Sequence, residues 1–183
     1  MKISTKRALA LSAGLLAFPL TLLGASPAQA TTGVSIGSGG KLTVAASNVN
    51  NSIVVSTDGA FIVVTNPNDT MNAVTPGCVK PNAATVRCPS AGVTNIQIST
   101  GDGHDWVENR TSLPARVFLN RGIDIYLGGS ARDTVNGDED DDILIGNGGG
   151  DELMGGPGLG DYAEGGAATD FCSAETVVTC ELF

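Results

Sequence analysis

Six aspartates in the C-terminal half stand at a fixed interval. Asp124, Asp133, Asp142 and Asp151 fall nine residues apart, and after a one-residue slip Asp161 and Asp170 resume the same step. Two residues after these aspartates come Tyr126, Val135, Leu144, Leu153, Ala163 and Cys172 in turn, and glycine gathers just before each Asp. Carboxylates repeated at one interval offer hard oxygen to cations. Glycine beside them lets backbone carbonyls turn toward the same point, because no Cβ stands in the way. Glycine also loses more freedom on ordering than any other residue, so a run this rich in it needs a source of stability other than packing.

Each unit reads as a Gly-rich turn, an Asp and a three-residue strand, which fits the nonapeptide G-G-x-G-x-D-x-U-x with U a large apolar residue. Residues 146–154, GNGGGDELM, are the best copy and residues 128–136, GGSARDTVN, follow closely. Residues 100–108, TGDGHDWVE, form a further copy out of phase, and residues 109–118 have lost the Asp. On these residues the chain resembles the haemolysin-type, or RTX, calcium-binding repeat family, and in particular its small secreted bacterial members. The resemblance covers residues 100–173.

The resemblance implies a parallel β-roll, a β-solenoid in which two nonapeptides make one coil and turns eighteen residues apart stack. Asp124 then lies beside Asp142, Asp133 beside Asp151, Asp142 beside Asp161, and Asp151 beside Asp170. It also implies a ligand set: the carboxylates of Asp124, Asp133, Asp142, Asp151, Asp161 and Asp170, completed by carbonyls of turns that include Gly128, Gly129, Gly146, Gly148 and Gly149. Strand spacing puts such neighbours about 4.8 Å apart at the backbone. Two carboxylates about 5 Å apart repel by roughly 3 kcal/mol at an effective dielectric of about 20, so the ladder opposes its own folding until a divalent cation sits between them. Calcium, with six to eight oxygen ligands in flexible geometry, suits such turns better than magnesium, which demands a tight octahedron and keeps its water. The turn at residues 137–142, GDEDDD, keeps one of the three glycines, and Ala131 and Ala168 replace others, which weakens those sites. The slip at residues 155–160 leaves open whether Asp161 shares the column of Asp142. Asp138 lies outside the repeated phase, and for Asp138 to Asp141 a solvated acidic surface is the alternative to a part in the sites.

Charge follows the same division. Residues 31–100 hold three cations against two acids, whereas residues 101–183 hold four arginines against seventeen acids. A pole this acidic repels nucleic acid and anionic lipid and attracts cations. At the other end, Lys2, Lys6 and Arg7 precede an apolar run from Ala8 to Leu23 and an Ala28-Gln-Ala30 cleavage pattern, the signature of a secretory signal over residues 1–30 with no membrane span after its removal.

In an exported chain four cysteines form disulfides, and proximity pairs Cys78 with Cys88 and Cys172 with Cys180, each worth about 2 to 3 kcal/mol by chain entropy. Residues 41–45, 52–56, 60–65 and 93–99 read as strands, with Asp58-Gly59 as a hairpin turn. The expected fold is all-β: a signal at 1–30, a small disulfide-bonded β unit at 31–99, the calcium repeats at 100–173, and a disulfide cap at 174–183.

Catalytic constellations are weak. Gly33-Val-Ser35-Ile-Gly37 matches G-x-S-x-G, but a nucleophile elbow needs a strand before it and a helix after it. His104 is the single histidine, which leaves no H-E-x-x-H and only a variable turn position as a base. Trp106 is expected to cap the first coil. The sequence therefore points to a secreted, non-enzymatic calcium-binding protein. The alternative is a cell-surface adhesion module whose partner contacts lie in residues 31–100 and whose roll serves as scaffold.

Overall fold

The alternation of apolar and polar residues is used literally. In Lys41–Ala45 the inward residues are Leu42 and Val44, in Ser52–Asp58 they are Ile53 and Val55, and in Asn95–Ser99 they are Ile96 and Ile98. Ser52–Asp58 and Phe61–Thr65 form an antiparallel hairpin in which Asp58 faces Phe61 across the turn, and Gly59 there takes φ 58°, the left-handed region its sequence position promised. A computed structural model describes residues 31–181; the predicted signal segment lies outside the described residues. Among the described residues every regular element is a strand, and the strands form one eight-stranded and one nine-stranded mixed sheet.

The strands of the C-terminal half are as short as the repeat requires. Ile125–Leu127, Ile143–Ile145, Glu152–Met154, Tyr162–Glu164 and Phe171–Ser173 are three residues each, and the buried middle residue is the one two places after the Asp. From Asn95–Ser99 onward, successive strands fall in alternate sheets, and from Ala115–Arg121 onward each pairs parallel with the strand two before it. Val117 pairs with Val135 and Val135 with Leu153, steps of eighteen; Leu144 pairs with Ala163 and Leu153 with Cys172, steps of nineteen.

Both sheets continue through residue 100. Lys41–Ala45 lies parallel to Asn95–Ser99, and Ser52–Asp58 lies parallel to Trp106–Asn109. Antiparallel partners such as Thr31–Ile36 and Phe61–Thr65 extend each sheet beyond these strands. The inward residues of both sheets form one hydrophobic cluster, running from Val34 to Cys172. Cys78 is bonded to Cys88 and Cys172 to Cys180, as proximity predicted. Trp106 departs from expectation. It pairs with Ile125 on the outer surface, and its neighbour Val107 points inward, so it does not cap a coil.

Candidate metal centre

The parallel register carries the turns with it and lays the aspartates in two files. In the first, Asp105, Asp124, Asp142 and Asp161 follow one another. The N–H of Asp105 donates to Asp124 Oδ1 at 2.7 Å, that of Asp124 to Asp142 Oδ1 at 2.9 Å, and that of Asp142 to Asp161 Oδ1 at 2.8 Å. In the second, the N–H of Asp133 donates to Asp151 Oδ1 and that of Asp151 to Asp170 Oδ1, both at 2.7 Å. All four expected pairs are adjacent, and the open question of the slip is answered, since Asp161 stands in the file of Asp142. The extra residue is taken up by the loop at Leu159 and Gly160, whose N–H groups donate to Asp141 Oδ1.

Three members of the files were missed in the sequence. Asp105, read as out of phase, heads the first aspartate file because its spacing to Asp124 is nineteen, the same slip that separates Asp142 from Asp161. Glu175 and Glu181 close the far ends, accepting the N–H groups of Asp161 and Asp170 through Oε2. Ala115 occupies the place of the lost Asp, its N–H donating to Asp133 Oδ1 at 2.7 Å.

All seven aspartates are buried, and none forms an ion pair with Arg or Lys among the described residues; the four ion pairs present lie on the surface. One oxygen of each aspartate is taken by a backbone N–H. The second, Oδ2, is buried without a hydrogen-bond partner in Asp105, Asp124, Asp142, Asp151, Asp161 and Asp170. A buried acceptor left unmade costs about 1 to 3 kcal/mol, and more if charged. Six of them amount to a large fraction of a domain's marginal stability. Asp133 is the exception, its Oδ2 accepting the Tyr126 hydroxyl at 2.7 Å and the Gly129 N–H at 3.2 Å.

Burial, the leading cause, pushes the Asp124 carboxyl up to about 8 and those of Asp142 and Asp151 to about 7. Neighbouring carboxylates push the same way and the accepted N–H pulls against them. Burial also raises Asp105, Asp133 and Asp161, and it holds the Tyr126 phenol well above its ordinary value, so the hydroxyl is the donor.

The glycines fit this arrangement in a way their number alone did not reveal. A Cβ on Gly137, Gly146 or Gly165 would fall within contact distance of the Oδ2 of the Asp five residues on, so the first glycine of the nonapeptide is the floor on which the free oxygen rests. That is why the acidic turn 137–142 keeps this glycine and loses the others. The expected carbonyl ligands are less free. The carbonyl of Gly128 accepts the Asn147 side-chain amide, and those of Gly129 and Gly146 accept the Gly148 N–H, so each has one lone pair left. Around Gly148 there is ordinary space, and Gly149 takes φ 122° against the backbone of Ala131.

Among the described residues no three His, Cys, Asp or Glu side chains converge in one cluster. The donors come as carboxylate pairs along a file, with turn carbonyls beside them. This set of hard oxygens fits a calcium ion and has no soft ligand. Ser35 lies within Thr31–Ile36, opposite Thr43, and the chain turns into a second strand where an elbow would need a helix. His104 accepts the Ile123 N–H through Nδ1. Comparison of the chain with family models, with curated proteins and with solved structures finds no match in any of the three.

Proposed function

We propose that this is a secreted, non-enzymatic calcium-binding protein whose repeats wind as a β-roll and hold Ca2+ between stacked turns. One observation carries the reading: six buried carboxylate oxygens without a hydrogen-bond partner, in two files that form no ion pair with Arg or Lys among the described residues. Positive charge has to reach those oxygens from solution. The free Oδ2 atoms of Asp124, Asp142 and Asp161 in one file, and of Asp151 and Asp170 in the other, would hold the metal with the remaining lone pairs of the turn carbonyls. Bound calcium would supply the charge that lets adjacent carboxylates stay ionised, while the N–H on each Oδ1 fixes the direction in which Oδ2 points. An extracellular setting agrees with the two disulfides.

Protons are the competing source of positive charge, and one experiment separates the two. The protein, exchanged into chelator at pH 7.5, is titrated with CaCl2 and separately with MgCl2 while circular dichroism is followed. The reading requires a rise of β signal with calcium at about 10⁻⁴ to 10⁻³ M, the range of extracellular modules, and little response to magnesium. Full β signal in chelator with no calcium uptake would mean that protons or water satisfy the files. The adhesion alternative would be favoured by a large apolar patch on residues 31–100, where the exposed large apolar residues are Val74 and Val79.

A further inference from the structure

Tyr126 is the single hydroxyl-bearing residue among the six that follow the file aspartates two places on, and Asp133 is the single file aspartate whose second oxygen is satisfied; the two are bonded to each other. The ring is fully buried in Ile125–Leu127 of the nine-stranded sheet and reaches across the interior to the turn that opens Thr134–Glu139 of the other sheet. Two further features mark the same place. The preceding coil offers Ala115 where an Asp would supply the second carboxylate, so Asp133 has a carboxylate neighbour on one side of the stack only. The turn facing Gly129 is filled from within, since the Asn109 carboxamide oxygen accepts the N–H and hydroxyl of Thr111 while its Nδ2 donates to the Leu113 carbonyl.

We infer that the Tyr126 hydroxyl takes the place of a cation on Asp133, so that this file binds metal only from Asp151 onward. The inference rests on the calcium reading above and accounts for its omission of Asp133, one of the six carboxylates expected from the sequence, by assigning the hydroxyl a positioning role. The chemistry is a substitution of neutral hydrogen-bond donors for a cation. A hydroxyl donor and an N–H together give Oδ2 two hydrogen bonds, the satisfaction its counterparts lack, and the ring closes the interior above it. Calcium entering there would have to displace a buried hydrogen bond to a carboxylate, and on the Ala115 side it would find one carboxylate instead of two. The upper end of the second file is thereby held by the protein alone, with Ala115–Arg121 between it and Asn95–Ser99.

The test uses the whole disulfide-bonded secreted protein, with CaCl2 as the only added ligand. Calcium ions per chain are counted by native mass spectrometry for the wild type, Asp133→Asn and Asp151→Asn, and thermal stability is measured for Tyr126→Phe in chelator and in calcium. Asp151→Asn should lose at least one ion, whereas Asp133→Asn should keep the wild-type count. Tyr126→Phe should weaken folding by about tenfold to a hundredfold in the equilibrium constant, in saturating calcium as well as in chelator, because the hydroxyl stays on Asp133 in both. An ion lost in Asp133→Asn would overturn the inference. So would a Tyr126→Phe defect that calcium abolishes, which would mean that metal displaces the hydroxyl; this second measurement decides the matter if Asp133→Asn does not fold. A wild-type count of zero would instead remove the calcium reading itself.

Discussion

Residues 31–99 and residues 100–173 build the same two sheets from different materials. In the first region a strand carries two inward apolar residues, as Leu42 and Val44, Ile62 and Val64, or Val86 and Cys88 do. In the second, each of the three-residue strands carries one, and at Tyr162–Glu164 this is only Ala163. A buried Leu or Val contributes about 1.5 to 3 kcal/mol, so the first region brings roughly twice the apolar stabilisation per strand. The second region also buries the file aspartates. The two thus differ in what completes them: the first closes by apolar contact, and the second, on the proposed reading, by a cation brought to its buried carboxylates.

The largest expected effect follows directly. In chelator at pH 7.5, amide hydrogen exchange should separate the regions, with peptides from residues 41–99 protected and peptides from residues 142–173 exchanging freely. Calcium should protect both. Equal protection of both regions in chelator would erase the proposed difference.

Next in size is the glycine floor. Gly146→Ala drives a Cβ into Asp151 Oδ2 and the Gly165 carbonyl, whereas Gly148→Ala meets nothing closer than 3.6 Å. Gly146→Ala should cost about 1 to 3 kcal/mol through overpacking and raise the calcium concentration needed for folding about tenfold or more. Gly148→Ala should leave the midpoint within about twofold, as a surface substitution does. Similar shifts for the two would mean that glycine serves the turns only through backbone freedom.

The effect of pH has a definite sign. Asp124, Asp142 and Asp151 have folded-state values of about 8, 7 and 7, above the ordinary 3.8 of the unfolded chain, so the folded metal-free form binds more protons than the unfolded one. Their contribution is fully present below about 3.8 and is lost as pH rises through 7 to 8. In chelator, the repeat region should therefore be more stable at pH 5.5 than at pH 8, with the midpoint of urea unfolding falling across that interval. In calcium the dependence should flatten, and calcium affinity should rise with pH over the same window as metal replaces protons. A metal-free form that gains stability from pH 5.5 to pH 8 would contradict the burial of these carboxyls as neutral acids.

Much of this was legible in the sequence because it is one-dimensional. The nine-residue step, joined to the two-repeat coil that the family resemblance implies, pointed to the stacking partners, the residue two places after each Asp to the core, and the Asp58-Gly59 hairpin and both disulfides followed from local chemistry. The missed features depend on contacts between separate turns and strands. Asp105 looked out of phase because a loop absorbs a residue without disturbing the file. Glu175 and Glu181 lie in no repeat and reach the file ends only once the chain has folded back. The hydroxyl at Tyr126 marked its position as different, yet its partner seven residues on is defined by the width of the interior, which spacing does not express. Trp106 was expected to cap the first coil; it lies on the outer surface because Val107 is the residue that points inward.

The smallest effect concerns the acidic turn, where carboxylates of the buried and the solvated kind stand side by side. Asp142 belongs to the file, while Asp140 and Asp141 are exposed and Asp138 donates nothing to it, accepting only the Asn136 amide. Asp141 is nevertheless distinct from its exposed neighbours. Its Oδ1 accepts the N–H groups of Leu159 and Gly160 at 2.9 and 3.0 Å, and these belong to the loop that swallows the extra residue before Asp161. Removing that acceptor should loosen the loop and let Asp161 drift from the file of Asp142, while the loop's exposure lets water take over part of the lost bonding. Asp141→Ala should therefore raise the calcium midpoint by about two- to fivefold, a cost of about 0.5 to 1 kcal/mol, and Asp138→Ala should shift it less than that. If the two variants behave alike, the register of Asp161 is set by the Leu144–Ala163 pairing alone, and the acidic turn acts only through its charge.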